Sequence, residues 1–69
     1  MTDIELTVNG SEWTSPASTT VQGLVRAWCP TDRGIAVARN GGVVPKSEWE
    51  STLLAEHDIV EIVTAAAGG

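Results

Sequence analysis

Tyrosine and phenylalanine are absent from these 69 residues, which hold one histidine, one cysteine and four basic side chains. Each shortage excludes something. One cysteine cannot form an internal disulfide, which fits a reducing compartment, so a cytoplasmic location is expected. One histidine, with no C-x-x-C or H-x-x-x-H spacing, leaves no ligand set for a metal, and none is expected. The same scarcity removes the groupings from which an enzyme site is built, so the chain reads as a non-enzyme. Four basic residues against nine acidic ones give a net charge of -5. Phosphate backbones repel such a chain, which argues against nucleic acid as a partner. No apolar run approaches the ~18 residues of a membrane-spanning helix, and Met1-Thr2-Asp3-Ile4-Glu5 lacks the basic start and apolar block of a signal peptide. No membrane association is expected.

What is present suffices for one small core. Hydrophobic residues make up 42% of the chain, enough to fold a single domain near the lower size limit for a core without staples. Acidity gathers late, in Glu48, Glu50, Glu56, Asp58 and Glu61, opposed there by Lys46 alone. Such a run is ordinarily a solvated face, and it suits a partner whose surface is locally basic.

The periodicities divide the chain. Ile4, Leu6 and Val8 alternate with polar residues, as a half-buried strand does. Asn9-Gly10 is a strong hairpin signal, so Ser11 to Ser15 should return antiparallel until Pro16 ends the strand. Val21, Leu24, Val25 and Trp28 then fall on one stripe of a helix of about ten residues. Thr19 with Gln22 reads as its capping box, Thr20 being an equal candidate for the cap. Pro30 stops it near Trp28. Ile35 to Arg39 alternates again, with Ile35 and Val37 on one face. Asn40-Gly41-Gly42 marks a second turn, and Val43-Val44 a short strand closed by Pro45. Ser47 and Glu50 suggest a capped helical turn from Ser47 to about Thr52, with Trp49 packed inward. In the last strand, Ile59 to Thr64, Val60 and Ile62 share one face while Glu61 and Val63 share the other. A helix crossing between strands favours parallel pairing of the strands that flank it. With the first and last strands central, the fold is α+β: a β-grasp, a mixed sheet of four or five strands with one main helix on one face.

Residues 1–64 are then the domain, and residues 65–69 a free C-terminal tail, Ala65-Ala66-Ala67-Gly68-Gly69. A terminus ending in two glycines threads a narrow slot, since only backbone must fit, and residues 65–69 extended reach about 16 Å. Gly-Gly alone is also what an ordinary frayed end looks like.

The wider pattern resembles a known family. It comprises Asn9-Gly10, Thr20-Val21-x-x-Leu24-Val25, Ala36-Val37-Ala38-Arg39-Asn40-Gly41, Val44-Pro45-Lys46-Ser47-Glu48-Trp49, and Asp58-x-Val60-Glu61-Ile62-Val63-Thr64 with Gly68-Gly69. Together these resemble ThiS, the ubiquitin-like sulfur carrier family of thiamine biosynthesis. The resemblance covers essentially the whole chain, and the Val-Pro-Lys-Ser-Glu-Trp stretch is its most specific part. His57 departs from the pattern, as relatives commonly carry Gly in that turn.

The resemblance implies a carrier and co-substrate that binds no cofactor of its own. A ThiF-type adenylyltransferase using ATP and Mg²⁺ would convert the Gly69 carboxylate to an acyl-adenylate. Sulfur drawn from cysteine by a desulfurase would then yield a thiocarboxylate, and a ThiG-type thiazole synthase would take that sulfur. Gly69 is the sulfur-carrying residue, and Gly68, Ala67 and Ala66 serve to thread the tail. Alternatives of the same fold are a carrier serving molybdopterin or another pathway, and a passive ubiquitin-like interaction module. Trp13 and Arg39 are candidate partner contacts if they lie on the open face of the sheet. Cys29, with no His or Lys beside it, reads as a small apolar residue, and His57 as a turn residue.

Overall fold

The computed structural model describes residues 2–29 and 33–64. Five strands form one sheet: β1 (Asp3–Val8), β2 (Ser11–Pro16), β3 (Ile35–Arg39), β4 (Gly42–Val44) and β5 (Ile59–Thr64). Their spatial order is β2-β1-β5-β3-β4, so the first and last strands are central as expected. The parallel pair is β1 with β5, while β2 and β3, which flank the helix in sequence, do not pair. The remaining contacts are antiparallel: β1 with β2, β3 with β4 and β3 with β5.

Both hairpins follow from turn chemistry. Asn9 and Gly10 have φ of 52° and 80°, and Asn40 and Gly41 have φ of 52° and 86°. Positive φ at both central positions is what a two-residue type I′ turn requires. Val8 therefore pairs with Ser11, and Arg39 with Gly42. Counting back from the first turn places Leu6 opposite Trp13, so the two side chains share a face.

One helix, α1 (Val21–Trp28), covers that face and buries Val21, Leu24 and Val25. They meet Leu6 and Val8 of β1, Val37 of β3, and Val60 and Ile62 of β5 in one core. The cap is Thr20, whose hydroxyl accepts from the Gly23 N–H at 3.1 Å, rather than Thr19 in a box with Gln22. The reason is tertiary. Thr19 is drawn into backbone pairing, its carbonyl accepting from Leu54 N–H at 2.9 Å, while Val21 N–H donates to Thr52. The helix thus starts one residue later and spans 8 residues.

The Ser47–Glu50 capping box is not used either. A 3-10 helix runs Lys46–Ser51 with Pro45 at its N-cap and no side-chain cap bond. Its first turn closes from Glu48 N–H to the Pro45 carbonyl at 2.8 Å, which leaves Ser47 inside the helix. Trp49 from this segment is 1% exposed, and its indole Nε1–H donates to the Val44 carbonyl at 2.9 Å. Burying a tryptophan with its one donor satisfied closes the end of the core beneath β4. Among the described residues no helix is long and apolar enough to cross a membrane.

Candidate functional site

Strand β5 is the last described element, and the sheet holds it from both sides. Its ladder with β3 runs from Arg39–Val60 to Ile35–Thr64. Two turn asparagines add to that hold. The Asn9 side chain forms a two-bond clamp on Ile62, its Oδ1 accepting from Ile62 N–H at 2.7 Å and its Nδ2–H donating to the Ile62 carbonyl at 3.0 Å. Asn40 does the equivalent at the start of the strand. Its backbone N–H donates to the Ile59 carbonyl at 2.7 Å and its Oδ1 accepts from Ile59 N–H at 2.9 Å.

Beside Asn40 lies a buried carboxylate. Asp58, 5% exposed, accepts from Arg39 Nε at 2.7 Å, Asn40 Nδ2 at 3.0 Å and the Ala55 N–H at 2.8 Å. Burial pushes its carboxyl up. The bonds from Arg39, Asn40 and Ala55, with the charge of Arg39, outweigh burial and hold it below its ordinary value. The chain is thereby fixed at the point where it enters β5.

Neither contact candidate lies on the open face. Arg39 shares the parity of Ile35 and Val37 on β3, so it sits on the helix side, and its guanidinium is committed to Asp58. Trp13, opposite Leu6, is half-buried on the same side, with its ring 5.3 Å from that of Trp28 in an edge-on arrangement at 62°. Hairpin register and strand parity could have placed both. Cys29 is half-buried against the core at the end of α1. His57 has φ of 70°, a conformation that suits glycine, and its N–H donates to the Glu5 carbonyl at 2.7 Å. Ala66, Ala67, Gly68 and Gly69, and the boundary drawn at residue 65, lie outside the described residues.

What the open face does present is apolar and acidic. Val43, Ile59 and Val63 are exposed by 78%, 56% and 62%. Toward β2 the face becomes polar, with a shallow groove of about 290 Å³ lined by Glu5, Thr7, Glu12, Thr14, His57 and Ile59. Sequence reading had Glu61 and Val63 on the outer side of β5 but assigned that side no role. Among the described residues, no group of three or more His, Cys, Asp or Glu side chains is placed to hold a metal.

Comparison with known proteins gives a consistent picture. The model of the ThiS family matches residues 2–69. A thiazole synthase of Paramagnetospirillum magneticum is 36% identical over 66 residues, which are 96% of this chain and 20% of that protein. The chain thus spans about a fifth of the length of this curated relative. The crystal structure of the thiamine biosynthesis protein ThiS from Geobacter metallireducens superposes with a TM-score of 0.80. It has 29% identity and covers 96% of this chain and 100% of that one.

Proposed function

The chain belongs to the ThiS family, and from that premise we propose that it is a sulfur carrier of thiamine biosynthesis acting through the carboxylate of Gly69. One observation carries the reading: the family match runs the length of the chain and includes Gly68-Gly69. The firm hold on β5 supports it, because a rigid body that ends in a narrow peptide can deliver a carboxylate into another protein's active site. The thiazole synthase relative supports the thiazole branch over the molybdopterin one.

The chemistry needs a partner, since a carboxylate is a poor electrophile. One Gly69 carboxylate oxygen attacks the α-phosphorus of ATP on an adenylyltransferase, and pyrophosphate with its Mg²⁺ leaves. A sulfur nucleophile then attacks the acyl carbon and AMP departs with the bonding pair: sulfide gives the thiocarboxylate directly, whereas a persulfide made by a cysteine desulfurase gives an acyl disulfide, which a thiol reductant cleaves to the thiocarboxylate and a disulfide. What remains is a thiocarboxylate for thiazole synthase to consume. The electrostatic stabilisation belongs to the activating enzyme. This chain contributes an acyl carbon without steric cover, Gly68 and Gly69 having no side chains.

Intact mass after incubation with ATP, Mg²⁺, an adenylyltransferase and a sulfide source tests this. Charging adds about 16 Da, sulfur for oxygen in an activated acyl group. The gain is lost on deleting Gly69 and slowed by Gly69→Ala, with folding unchanged. No gain with enzymes that charge a known carrier overturns the reading.

A further inference from the structure

Backbone parity divides β5 between its two neighbours. The Ile59 carbonyl accepts from Asn40 on the β3 side. The N–H and C=O of Glu61 and Val63 therefore face β3 as well, opposite Ala38 and Ala36. Those of Val60 and Ile62 face β1. The ladder with β1 is short, Thr7 with Ile59 and Val8 with Val60. Its last bond runs from Asn9 N–H to the Val60 carbonyl at 2.9 Å. There β1 ends and the chain turns away at Asn9-Gly10, so no strand residue follows to serve Ile62. The Asn9 side chain supplies the missing groups, an acceptor at 2.7 Å and a donor at 3.0 Å.

The hairpin itself does not require this amide. Position 9 has φ of 52°, which glycine and aspartate also adopt in a type I′ turn. Among these three, asparagine alone carries a donor and an acceptor on one planar group, matching the N–H and C=O of a single residue. Glycine has neither, and an ionised aspartate only accepts. Asn9 thus performs two separable tasks, the turn and the clamp. The clamp acts where the strand is weakest. Strand ends fray first, and past Val60 the register pairs β5 with β3 on one side only.

We propose that Asn9 is a positioning residue for the chemistry at Gly69: its amide stands in for a strand residue and fixes the end of β5. The inference rests on the carrier reading above and on no particular docking surface. Gly69 follows Thr64 by five residues, and a partner must hold it beside ATP. A strand that ends in a fixed place presents the carboxylate at a higher effective concentration than a frayed one. Taking residues 65–69 as the linker, loss of order from Ile62 onward lengthens it from five residues to eight. Effective concentration falls roughly as the −3/2 power of length, which makes about twofold, and the loss of a set direction adds to it.

The test is single-turnover adenylylation with the adenylyltransferase in excess over the carrier, followed by pyrophosphate release. Asn9→Gly keeps the turn and deletes the amide. Its rate at saturating enzyme is expected to fall about twofold to fivefold, while the half-saturating concentration stays within about twofold. Amide exchange by NMR checks the cause. The Val63 N–H bonds on the β3 side, away from Asn9, and should exchange about tenfold faster or more in Asn9→Gly. Val25→Ala empties a buried position on α1 and leaves the bonds of β5 in place. It should lower the melting midpoint at least as far and still react at the parent's rate. Unchanged exchange at Val63, a parent-like saturating rate, or a loss confined to half-saturation overturns the positioning role. An equal slowing by Val25→Ala overturns it too, because stability alone then accounts for the effect. A parent carrier that releases no pyrophosphate overturns the carrier reading instead.

Discussion

Replacing Asp58 by alanine tests whether the entrance to β5 is held as the geometry indicates. The substitution leaves three donors without their acceptor: Arg39 Nε, Asn40 Nδ2 and the Ala55 N–H. Breaking a fully buried ion pair costs about 3–5 kcal/mol. The Arg39 side chain is 32% exposed and can turn to water, which lowers that figure. Charged hydrogen bonds contribute about 1.5–3 kcal/mol each, so a net loss of about 2–3 kcal/mol is expected. At about 4–8 °C per kcal/mol for a domain of this size, the melting midpoint should fall by about 10–20 °C. The pH dependence gives an independent check. Because the folded carboxyl sits below its unfolded value, its contribution is complete above the unfolded pKa of about 3.9. It is lost as pH falls through the folded pKa. The difference in stability between parent and Asp58→Asn should accordingly be largest near neutrality and close at strongly acidic pH. Melting followed by circular dichroism across pH measures both effects. A drop below about 3 °C for Asp58→Ala, or a parent–Asn difference that does not narrow in acid, would refute the reasoning.

His57→Gly should stabilise the domain by about 0.5–1 kcal/mol, because it removes left-handed strain worth about 1–2 kcal/mol and adds back some unfolded-state entropy. The hydrogen bond to Glu5 comes from the backbone and is kept, so a lower urea midpoint would mean that the side chain holds the turn. Leu24→Ala empties a position 1% exposed beneath the helix and should cost about 2–5 kcal/mol in urea unfolding. A loss under about 1 kcal/mol would show that the helix stripe contributes little to the core.

The strands, the two hairpins and the helix were legible because each rests on local chemistry. Alternation at Ile4, Leu6 and Val8 needs nothing beyond the chain itself, and Asn-Gly selects a two-residue turn whatever surrounds it. The starts of the two helical segments were not legible, the first for a tertiary reason and the second for a local one. Thr19 and Thr20 are equally good caps in isolation, and the bond from Leu54 N–H to Thr19 decides between them. Ser47 has a capping sequence, but the turn that forms is anchored on Pro45. The faces of Trp13 and Arg39 stood within reach of arithmetic. A two-residue hairpin at Asn9-Gly10 forces Trp13 opposite Leu6, and parity along β3 puts Arg39 with Val37.

The hold on β5 was not legible at all. The Asn9 clamp joins residues 53 positions apart, and the Asp58 cluster joins two strands across 18 and 19 positions. No local pattern announces either, since Asn9 and Asn40 already have a sufficient local reason to be asparagine. The consequence is a division of labour along one strand. Val60 and Ile62 point inward and serve the core. Ile59, Glu61 and Val63 point outward, and the clamps keep their positions fixed relative to the rest of the sheet. Ile59 and Val63 leave apolar surface exposed where an ordinary outer face would carry polar side chains. An apolar outer parity on a strand so firmly held makes sense if a second surface covers it. Glu61 then disfavours any cover that lacks a positive charge.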